Sequence, residues 1–211
     1  MVSPLVVVLK GKSGEGGIRL AVDYSYINKF TRNDPFPVPD IDSIIQRVGG
    51  ATHISTFDAS LGYHQTKVRK GDEPYTAFIC DDGIFEFTRT PFGGKACGAT
   101  FLHAMQITLK PVRACTDSYV DDMIVHTHQR GFVQHLRDIC SFLQRIREVH
   151  LTLKLRKCKF AQKELKFCGK IIGSGNKRPD PDKFAAVQGL EPAKTKTEVR
   201  QLLGFFPIFG S

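Results

Sequence analysis

The stretch Tyr119-Val120-Asp121-Asp122-Met123 decides the fold of this chain. Apolar residues on both sides of the aspartate pair predict a buried strand, where two adjacent carboxylates are unfavourable unless a cation neutralises them. Neighbouring side chains of an extended strand point to opposite faces, so both aspartates reach one site only if a tight turn lies beside them. We therefore expect a β-hairpin with Asp121 and Asp122 at its tip.

A third aspartate, Asp58, lies 63 residues earlier, at the end of a strand predicted over residues 52–57. Where this strand lies beside the hairpin, three carboxylates surround one point and offer the oxygen ligands that Mg²⁺ prefers. Two such ions, roughly 3.5 to 4 Å apart, activate a hydroxyl and stabilise a leaving pyrophosphate. For an aspartate pair taken by itself, however, an ordinary turn is the better interpretation.

The rest of the chain reads as a mixture of strands and helices. Strands are predicted over residues 4–9, 18–24, 76–80, 84–90, 151–155 and 165–172. Helices are predicted over residues 40–48, 98–109, 132–149 and 181–188, with another beginning near Thr195. In the helix over 132–149, apolar residues recur at spacings of four and three and predict the stripe that covers a sheet: Phe132, Leu136, Ile139, Leu143 and Ile146.

The basic excess of the chain is concentrated in one segment. The net charge is +9, and residues 145–178 hold eleven lysines and arginines against Glu148 and Glu164, so this segment carries all of it. Such a patch suits a phosphate backbone, although a solvated basic face without a partner explains the charge equally well. No apolar run approaches the roughly 20 residues that span a bilayer, and we expect a soluble intracellular protein.

The cysteines and histidines predict no metal site. The six cysteines are scattered without a Cys-x-x-Cys pair, which predicts free and mostly buried thiols. His126 and His128 form the only close histidine pair. We interpret this pair as the surface end of a strand.

Seven blocks occur along the chain in a fixed order. They are Ile18 to Lys29, Asp58 to Gln65, Pro91-Phe92-Gly93, Tyr119 to Asp122, Lys157-Cys158-Lys159-Phe160, Phe167-Cys168-Gly169 and Arg178-Pro179-Asp180-Pro181-Asp182-Lys183. In type and order they resemble the motifs of the reverse transcriptases of gypsy-type long-terminal-repeat retrotransposons. The resemblance extends over nearly the full length of the chain.

This resemblance implies an α+β fold with a palm and fingers, in which an antiparallel palm sheet is backed by helices and the thumb is largely missing. Residues 1–50 would form a fingers hairpin and connector, truncated at its start. Residues 51–175 would form the palm, with an interleaved fingers hairpin at about 74–90. Residues 176–211 would begin the thumb or connection region, also truncated.

The function that the resemblance implies is RNA-directed DNA synthesis, a nucleotidyl transfer to a primer 3′-hydroxyl supported by two Mg²⁺ ions, with Mn²⁺ as a substitute. The implied partners are an RNA or DNA template with its primer, deoxynucleoside triphosphates, and the RNase H and integrase segments of a polyprotein. No membrane partner is expected. The family implies work in cytoplasmic particles, with the nucleus as a further location.

The resemblance also implies roles for individual residues. Asp58 and Asp121 would ligate both metals, with Asp122 as the supporting carboxylate. Nucleotide-binding residues would comprise the triphosphate ligands Lys12 and Arg19, the sugar-contacting Tyr63, and Phe92 and Gly93 beside the nascent base pair. Primer and template contacts would come from Tyr119, Lys157, Phe167, Gly169 and Lys170. For Lys157, two roles remain open: a proton donor near the leaving phosphates, or a ligand of the nucleic-acid backbone.

Some positions depart from the family pattern. Residues 94–101 replace the usual Leu-x-Asn-Ala-Pro-Ala-x-Phe, so the Asn and Pro that shape the loop and helix start are absent, and Ser25 replaces an arginine. Thr116-Asp117-Ser118 is polar where apolar residues are usual, which predicts unsatisfied groups in the core. The alternative is therefore a degenerate, inactive remnant that still binds nucleic acid. A purely structural metal protein would leave the basic segment without a role.

Overall fold

The computed structural model describes residues 2–9, 17–129, 131–167, 170–173 and 176–179. Its strands are β1 (Ser3–Leu9), β2 (Ile18–Val22), β3 (His53–Asp58), β4 (Phe78–Cys80), β5 (Gly83–Phe85), β6 (Thr116–Tyr119), β7 (Asp122–Thr127), β8 (Lys159–Gln162), β9 (Glu164–Phe167), β10 (Lys170–Gly173) and β11 (Asn176–Pro179). Its helices are α1 (Ser25–Phe30), α2 (Ile41–Val48), α3 (Gly62–Gln65), α4 (Cys97–Leu109) and α5 (Gly131–Glu148). Short 3₁₀ turns occupy Glu73–Thr76, Lys110–Val112 and Leu155–Lys157.

The strands form three sheets. The central sheet has the order β6-β7-β3-β8 and is antiparallel throughout. An outer sheet has the order β2-β1-β4-β5, in which β1 and β4 are parallel and the other pairs antiparallel. A small sheet of β11-β10-β9 follows the central sheet in the chain. Antiparallel strands backed by helices agree with the predicted α+β class, whereas the division into fingers, palm and thumb stays a prediction.

Each face of the central sheet packs against different elements. On one face, Phe57, Met123 and Val125 pack against residues of α4 and α5 such as Phe101 and Phe142. On the other, Ile54 and Ile124 pack against α2 and the small sheet. Because residues two apart on a strand share a face, Asp58 and Asp122 belong to this second face, called here the α2 face.

The buried face of α5 differs from the prediction at two positions, where the residue one place earlier in the chain is buried instead. Its buried residues are His135, Ile139, Phe142 and Ile146. Phe132, Leu136 and Leu143, predicted to cover the sheet, are exposed. The apolar pattern was misleading because the fully buried position near the start of the helix holds a histidine, which hydrogen bonds make acceptable.

That histidine takes part in a buried polar network between α5 and the central sheet. His135 Nε2 lies 2.8 Å from Ser55 Oγ, and His135 Nδ1 lies 2.9 Å from Thr127 Oγ1. The Thr127 hydroxyl in turn donates to Asp138. The Ala161 N–H donates to Ser55 Oγ at 2.9 Å, beside an irregularity in the β3–β8 pairing. The network therefore joins β3, β7, β8 and α5.

Several local predictions need correction. Residues 25–30, for which no helix was predicted, form α1. The predicted strand over 151–155 is an isolated bridge between Leu153 and Ala59, followed by a 3₁₀ turn. Of the strand predicted over 165–172, residues 165–167 belong to β9 and residues 170–172 to β10, so that two strands replace one. The predicted helices at 181–188 and from Thr195 lie outside the described residues.

The cysteine and membrane predictions have different outcomes. The five described cysteines are free, but they are half-buried or, for Cys140, exposed, so the expectation of mostly buried thiols was wrong. Cys168 lies outside the described residues. Within the described ranges, none of the helices has the length and apolar character needed to cross a bilayer.

Candidate active site

The tip of the β6–β7 hairpin is a two-residue turn. Tyr119 pairs with Asp122, which leaves Val120 and Asp121 as the turn residues, one residue earlier than the predicted tip at Asp121 and Asp122. Val120 has φ 56°, a left-handed conformation that is strained for a β-branched residue and is kept only where the surroundings enforce it. One enforcing contact is the hydrogen bond from the Ala59 N–H to the Asp121 carbonyl, 3.0 Å long. The tip is thus fixed to the end of β3.

Asp58 lies directly across the sheet from the aspartate pair. It is the last residue of β3 and pairs with Asp122 of β7, so both side chains leave the same end of the α2 face. Asp58 is only 9% exposed, whereas Asp121 and Asp122 are exposed. The predicted convergence of these three residues at one end of the sheet is therefore present in the backbone.

The clustered carboxylates disturb one another. Although Asp122 is exposed, partial loss of hydration raises the pKa of its carboxyl, and the charges of Asp121 and Asp58 raise it further. Lys157 counteracts this, because its Nζ lies 2.6 Å from Asp58 Oδ2. The hydrogen bond to Asp58 raises the pKa of Lys157, while partial burial opposes it. This site is short of positive charge.

The donor set fits a hard divalent cation in its chemistry. The three carboxylates lie close enough for Asp121 and Asp58 to raise the pKa of Asp122, and one of them, the buried Asp58, binds an ammonium group. Clustered carboxylate oxygens of this kind are the ligands that a hard divalent cation prefers. Within the described residues, no three Asp, Glu, His or Cys side chains stand ready to ligate one ion. The ammonium of Lys157 balances part of the negative charge of the three carboxylates.

Gly62 allows a close approach of α3 to the hairpin. A Cβ atom there would lie 2.9 Å from the ring of Phe101 and 3.5 Å from the Cβ of Asp121. Next to it, the Tyr63 ring contacts the rings of Phe92 and Phe101, with centroids 5.1 and 5.2 Å away. Burial raises the pKa of Tyr63, and the charge of Asp121 adds to the effect. Tyr63 and Phe92 thus form one aromatic wall beside the aspartates.

The loop at Gly93 is held in place from α1. Gly93 has φ +96°, which favours glycine, and its carbonyl accepts a 2.9 Å hydrogen bond from Asn28 Nδ2. Asn28 Oδ1 accepts a 2.8 Å bond from the Lys95 N–H. The loop therefore obtains its amide clamp from Asn28, although the family's own Asn and Pro are missing from residues 94–101. α4 begins at Cys97 without a side-chain cap.

The remaining predicted site residues lie in several places. Tyr119 and Phe167 both pack against the hydrophobic cluster of the α2 face, and Lys170 Nζ lies 2.6 Å from Asp42 Oδ1. Arg19 pairs with Val8 in the outer sheet. Lys12 and Gly169 lie outside the described residues. The structure thus brings Asp58, Asp121, Asp122, Tyr63 and Lys157 together, with Tyr119 adjacent.

Asp117, a polar residue where the family usually has an apolar one, has two partners beneath the hairpin. Arg47 Nη2 lies 2.7 Å from Asp117 Oδ1, and His126 Nε2 lies 3.0 Å from Asp117 Oδ2. Burial alone would raise the pKa of Asp117, but the hydrogen bonds from His126 and Arg47 hold it below its ordinary value. No buried side-chain nitrogen or oxygen of the described residues lacks a partner. The predicted unsatisfied groups are therefore absent from this part of the chain.

This cluster also corrects the interpretation of the histidine pair. His126 is 6% exposed and lies inside the α2 face, whereas only His128 is at the surface. The signal was present in the sequence, because an aspartate at a position where apolar residues are usual needs a cationic partner once it is buried. Gln65 was also missed as a structural residue. Its amide contacts the backbone of Thr152, which no local pattern predicts.

Comparisons with known proteins agree with this geometry. Residues 9–172 match the family model described as "Reverse transcriptase (RNA-dependent DNA polymerase)". The Tf2-3 and Tf2-7 transposon polyproteins of Schizosaccharomyces pombe are 31% identical over 192 residues, which cover 90% of this chain. The chain spans only 14% of the length of these relatives.

Solved structures show the same fold. A foamy viral protease-reverse transcriptase in complex with double-stranded DNA has a TM-score of 0.88 at 23% identity, covering 98% of this chain and 36% of that one. A foamy viral protease-reverse transcriptase bound to an RNA/DNA hybrid has a TM-score of 0.84 at 22% identity, covering 98% and 27%. The predicted palm-and-fingers type of fold is confirmed by these matches.

Proposed function

Since this chain belongs to the reverse transcriptase family, we propose that it is an RNA-directed DNA polymerase, part of a retrotransposon polyprotein. It would transfer deoxynucleotides to the 3′-hydroxyl of a primer paired with an RNA or DNA template. The observation that supports this most strongly is the pairing of Asp58 with Asp122 beside the Asp121 turn. An ordinary surface turn does not need a third carboxylate on the neighbouring strand.

Divalent metal ions, Mg²⁺ or Mn²⁺, would be held by Asp58 and Asp121, with Asp122 as the supporting carboxylate. When bound, two such ions activate the attacking hydroxyl and balance the charge of the leaving pyrophosphate. The raised pKa of Asp122 supports this assignment, because the carboxylates repel one another in the absence of a cation. The chain's own contribution is to hold the three oxygen donors at one end of a rigid sheet.

The nucleotide would lie against the aromatic wall of Tyr63 and Phe92. A deoxyribose packs on the Tyr63 ring, whose fixed position excludes a 2′-hydroxyl. Gly93, which lacks a side chain, allows the backbone to approach the nascent base pair. Lys12 and Arg19 are proposed as ligands of the triphosphate, a role that suits an arginine because it grips phosphate oxygens in a fork.

The nucleic acid would follow the basic segment 145–178. Its phosphates would meet residues around the small sheet, including Phe167, Gly169 and Lys170, with Tyr119 near the primer end. Lys157 would lie at the junction between this segment and the aspartates. Because such contacts release counterions, binding is expected to weaken steeply as salt concentration rises.

Primer extension on an RNA template with Mg²⁺ tests the proposal. We expect the chain to incorporate deoxynucleotides and Asp121→Asn to lower the rate by about 10³-fold, since several kcal/mol of charge stabilisation is lost. Asp81→Asn is the matched control, because it removes the same charge from another aspartate pair in an exposed hairpin turn. Salt-sensitive binding without incorporation would instead indicate the inactive remnant.

A further inference from the structure

We propose that Gln65 is a positioning residue that holds Lys157 against Asp58, where the Lys157 ammonium serves as a counter-cation that an arriving divalent metal ion must displace. This inference rests on the proposed metal-dependent function. It concerns how the site is kept stable before the metal binds, and what the metal competes with. Three sets of contacts carry it.

The first set is the grip of Gln65 on a distant peptide unit. Gln65 Oε1 accepts a hydrogen bond from the Thr152 N–H, and Gln65 Nε2 donates to the Thr152 carbonyl at 2.9 Å. Nε2 also donates to the carbonyl of Ser60. The carboxamide offers both an acceptor and donors at one position, and neither an ionised glutamate nor a leucine can replace these contacts. Gln65 thus clamps a segment 87 residues away.

The second set ties this segment to the strand end that carries Asp58. The Ser60 N–H donates to the Thr152 carbonyl at 2.9 Å, and the Lys154 N–H donates to the Asp58 carbonyl at 2.8 Å. Leu153 and Ala59 form a bridge between these bonds. The Lys157 N–H then bonds to the Lys154 carbonyl at 2.9 Å in the 3₁₀ turn. The backbone of Lys157 therefore has a fixed position relative to Asp58.

The third set is the ion pair itself. Lys157 Nζ lies 2.6 Å from Asp58 Oδ2, yet the lysine side chain is 56% exposed and that of Asp58 only 12%. A buried carboxylate needs a positive partner, whereas an exposed ammonium on a flexible stem can leave into water. The pair is therefore asymmetric. Asp58 depends on Lys157, but Lys157 does not depend on Asp58.

Competition with a metal follows from electrostatics. An ammonium and a divalent cation on one carboxylate repel each other, so a metal ion that binds Asp58 must first displace Lys157. While Lys157 is in place, it lowers the affinity for the metal and stabilises the empty site. Removing either Lys157 or the clamp that positions it should raise the affinity for the metal.

Mn²⁺ binding to the chain without nucleotide, measured by electron paramagnetic resonance, tests this inference. We expect Lys157→Met to bind Mn²⁺ about tenfold more tightly than the wild type, which corresponds to about 1.4 kcal/mol of removed repulsion. Lys157→Arg keeps the charge and should retain the wild-type affinity. Lys154→Met removes a nearby positive charge but leaves the backbone bond to Asp58, so its effect should stay below about threefold.

A double-mutant cycle tests the role of Gln65. Gln65→Leu should tighten Mn²⁺ binding in the same direction as Lys157→Met, and combining the two should give no more than Lys157→Met alone. A merely structural role would lower stability without changing the affinity for Mn²⁺. Should Gln65→Leu fail to fold by circular dichroism, Gln65→Met serves instead, because it keeps the length of the side chain, adds no charge and loses the amide donors and acceptor.

The outcomes separate this inference from the proposed function. If the wild type binds Mn²⁺, Asp58→Asn abolishes binding and Lys157→Met changes nothing, then the counter-cation role is wrong while the metal site stands. Additive effects of Gln65→Leu and Lys157→Met would refute the positioning role. If neither the wild type nor Lys157→Met binds Mn²⁺, the metal site itself is wrong, and this inference falls with it.

Discussion

Two hairpins of this chain carry adjacent aspartates at their tips, and they differ in almost everything else. In the β4–β5 hairpin, Asp81 and Asp82 form the two-residue turn between Cys80 and Gly83, and both are exposed. In the β6–β7 hairpin, one aspartate is in the turn and the other begins a strand whose next five residues are all buried. The dipeptide is the same in both hairpins, so only the surroundings give it a role.

The difference lies in what faces each pair. Across from Asp122 lies the buried Asp58 with its partner Lys157. The strand beside β4 is β1, which pairs with it through Ser3 and Pro4. Like charges brought together in a half-buried place are unfavourable, and a chain that keeps them there needs a cation. The exposed pair has no such need, because water solvates it.

The largest expected effect is on the rate of primer extension, which should depend on the aspartates around the β6–β7 hairpin and not on those of the β4–β5 hairpin. Asp58→Asn should lower the rate of primer extension by about 10³-fold, because a metal ligand and its charge are lost. Asp82→Asn should leave the rate within a factor of about two. Steady-state incorporation on an RNA template measures both. Equal losses of rate in the two variants would show that the aspartates act only through the overall negative charge of the surface.

The next effect concerns the support beneath the β6–β7 hairpin. Asp117→Leu should lower the free energy of unfolding by about 2 kcal/mol, because Arg47 and the buried His126 lose the carboxylate that they share. Asp81→Asn in the exposed turn should change it by less than about 0.5 kcal/mol. Urea denaturation followed by circular dichroism gives both values. If Asp117→Leu left the free energy of unfolding unchanged, water would be an adequate substitute for the carboxylate beside Arg47 and His126.

A smaller effect comes from the packing on Asp121. Gly62→Ala should lower the free energy of unfolding by roughly 1 to 2 kcal/mol, because the new methyl group meets the buried ring of Phe101. Gly98→Ala is the control near the start of α4, where a Cβ meets only the Tyr63 hydroxyl at 3.9 Å. It should be neutral or stabilising, since alanine favours helices. Thermal unfolding distinguishes the two, and equal shifts would contradict the close packing.

The smallest expected effect is a pH dependence of the free energy of unfolding that arises from His135, in the core beside β7. Burial lowers the pKa of His135, His53 and His126 lower it further, and Asp138 opposes them. Below about pH 6.5 the unfolded chain binds a proton at this histidine that the folded chain does not, so stability falls as the pH falls through that value. His135→Gln should weaken this dependence in urea titrations between about pH 7.5 and 5.5. An unchanged slope would assign it to other groups.

Much of the central fold could be predicted from the sequence, because its signals are local. A tight turn at the aspartate pair and the bounds of α2 and α4, to within one residue, follow from turn and periodicity patterns. The position of Asp58 opposite Asp122 was expected mainly from the resemblance, because the order of the motifs assigns Asp58 and the aspartate pair to one metal site. The motifs thus brought together two strands that are far apart in the chain.

What escaped prediction depends on contacts between distant residues. The hydrogen bonds that bury His135 on α5 come from β3 and β7, so the helix pattern alone favours Leu136. Asp117 was interpreted as a defect because Arg47 and His126 lie 70 and 9 residues away. The Gln65 clamp likewise joins residues without any shared local pattern. Polar groups in a core can be judged only with their partners.

The His135 network has a consequence for the placement of protons. At one end the Ala161 N–H can only donate, and at the other a carboxyl oxygen of Asp138 accepts the hydrogen of the Thr127 hydroxyl. Every hydroxyl between them is therefore oriented in one sense, and His135 is fixed as the tautomer that carries its hydrogen on Nδ1. Protonation of Nε2 would turn it from an acceptor into a donor, so the Ser55 hydroxyl would have to rotate away and lose this hydrogen bond.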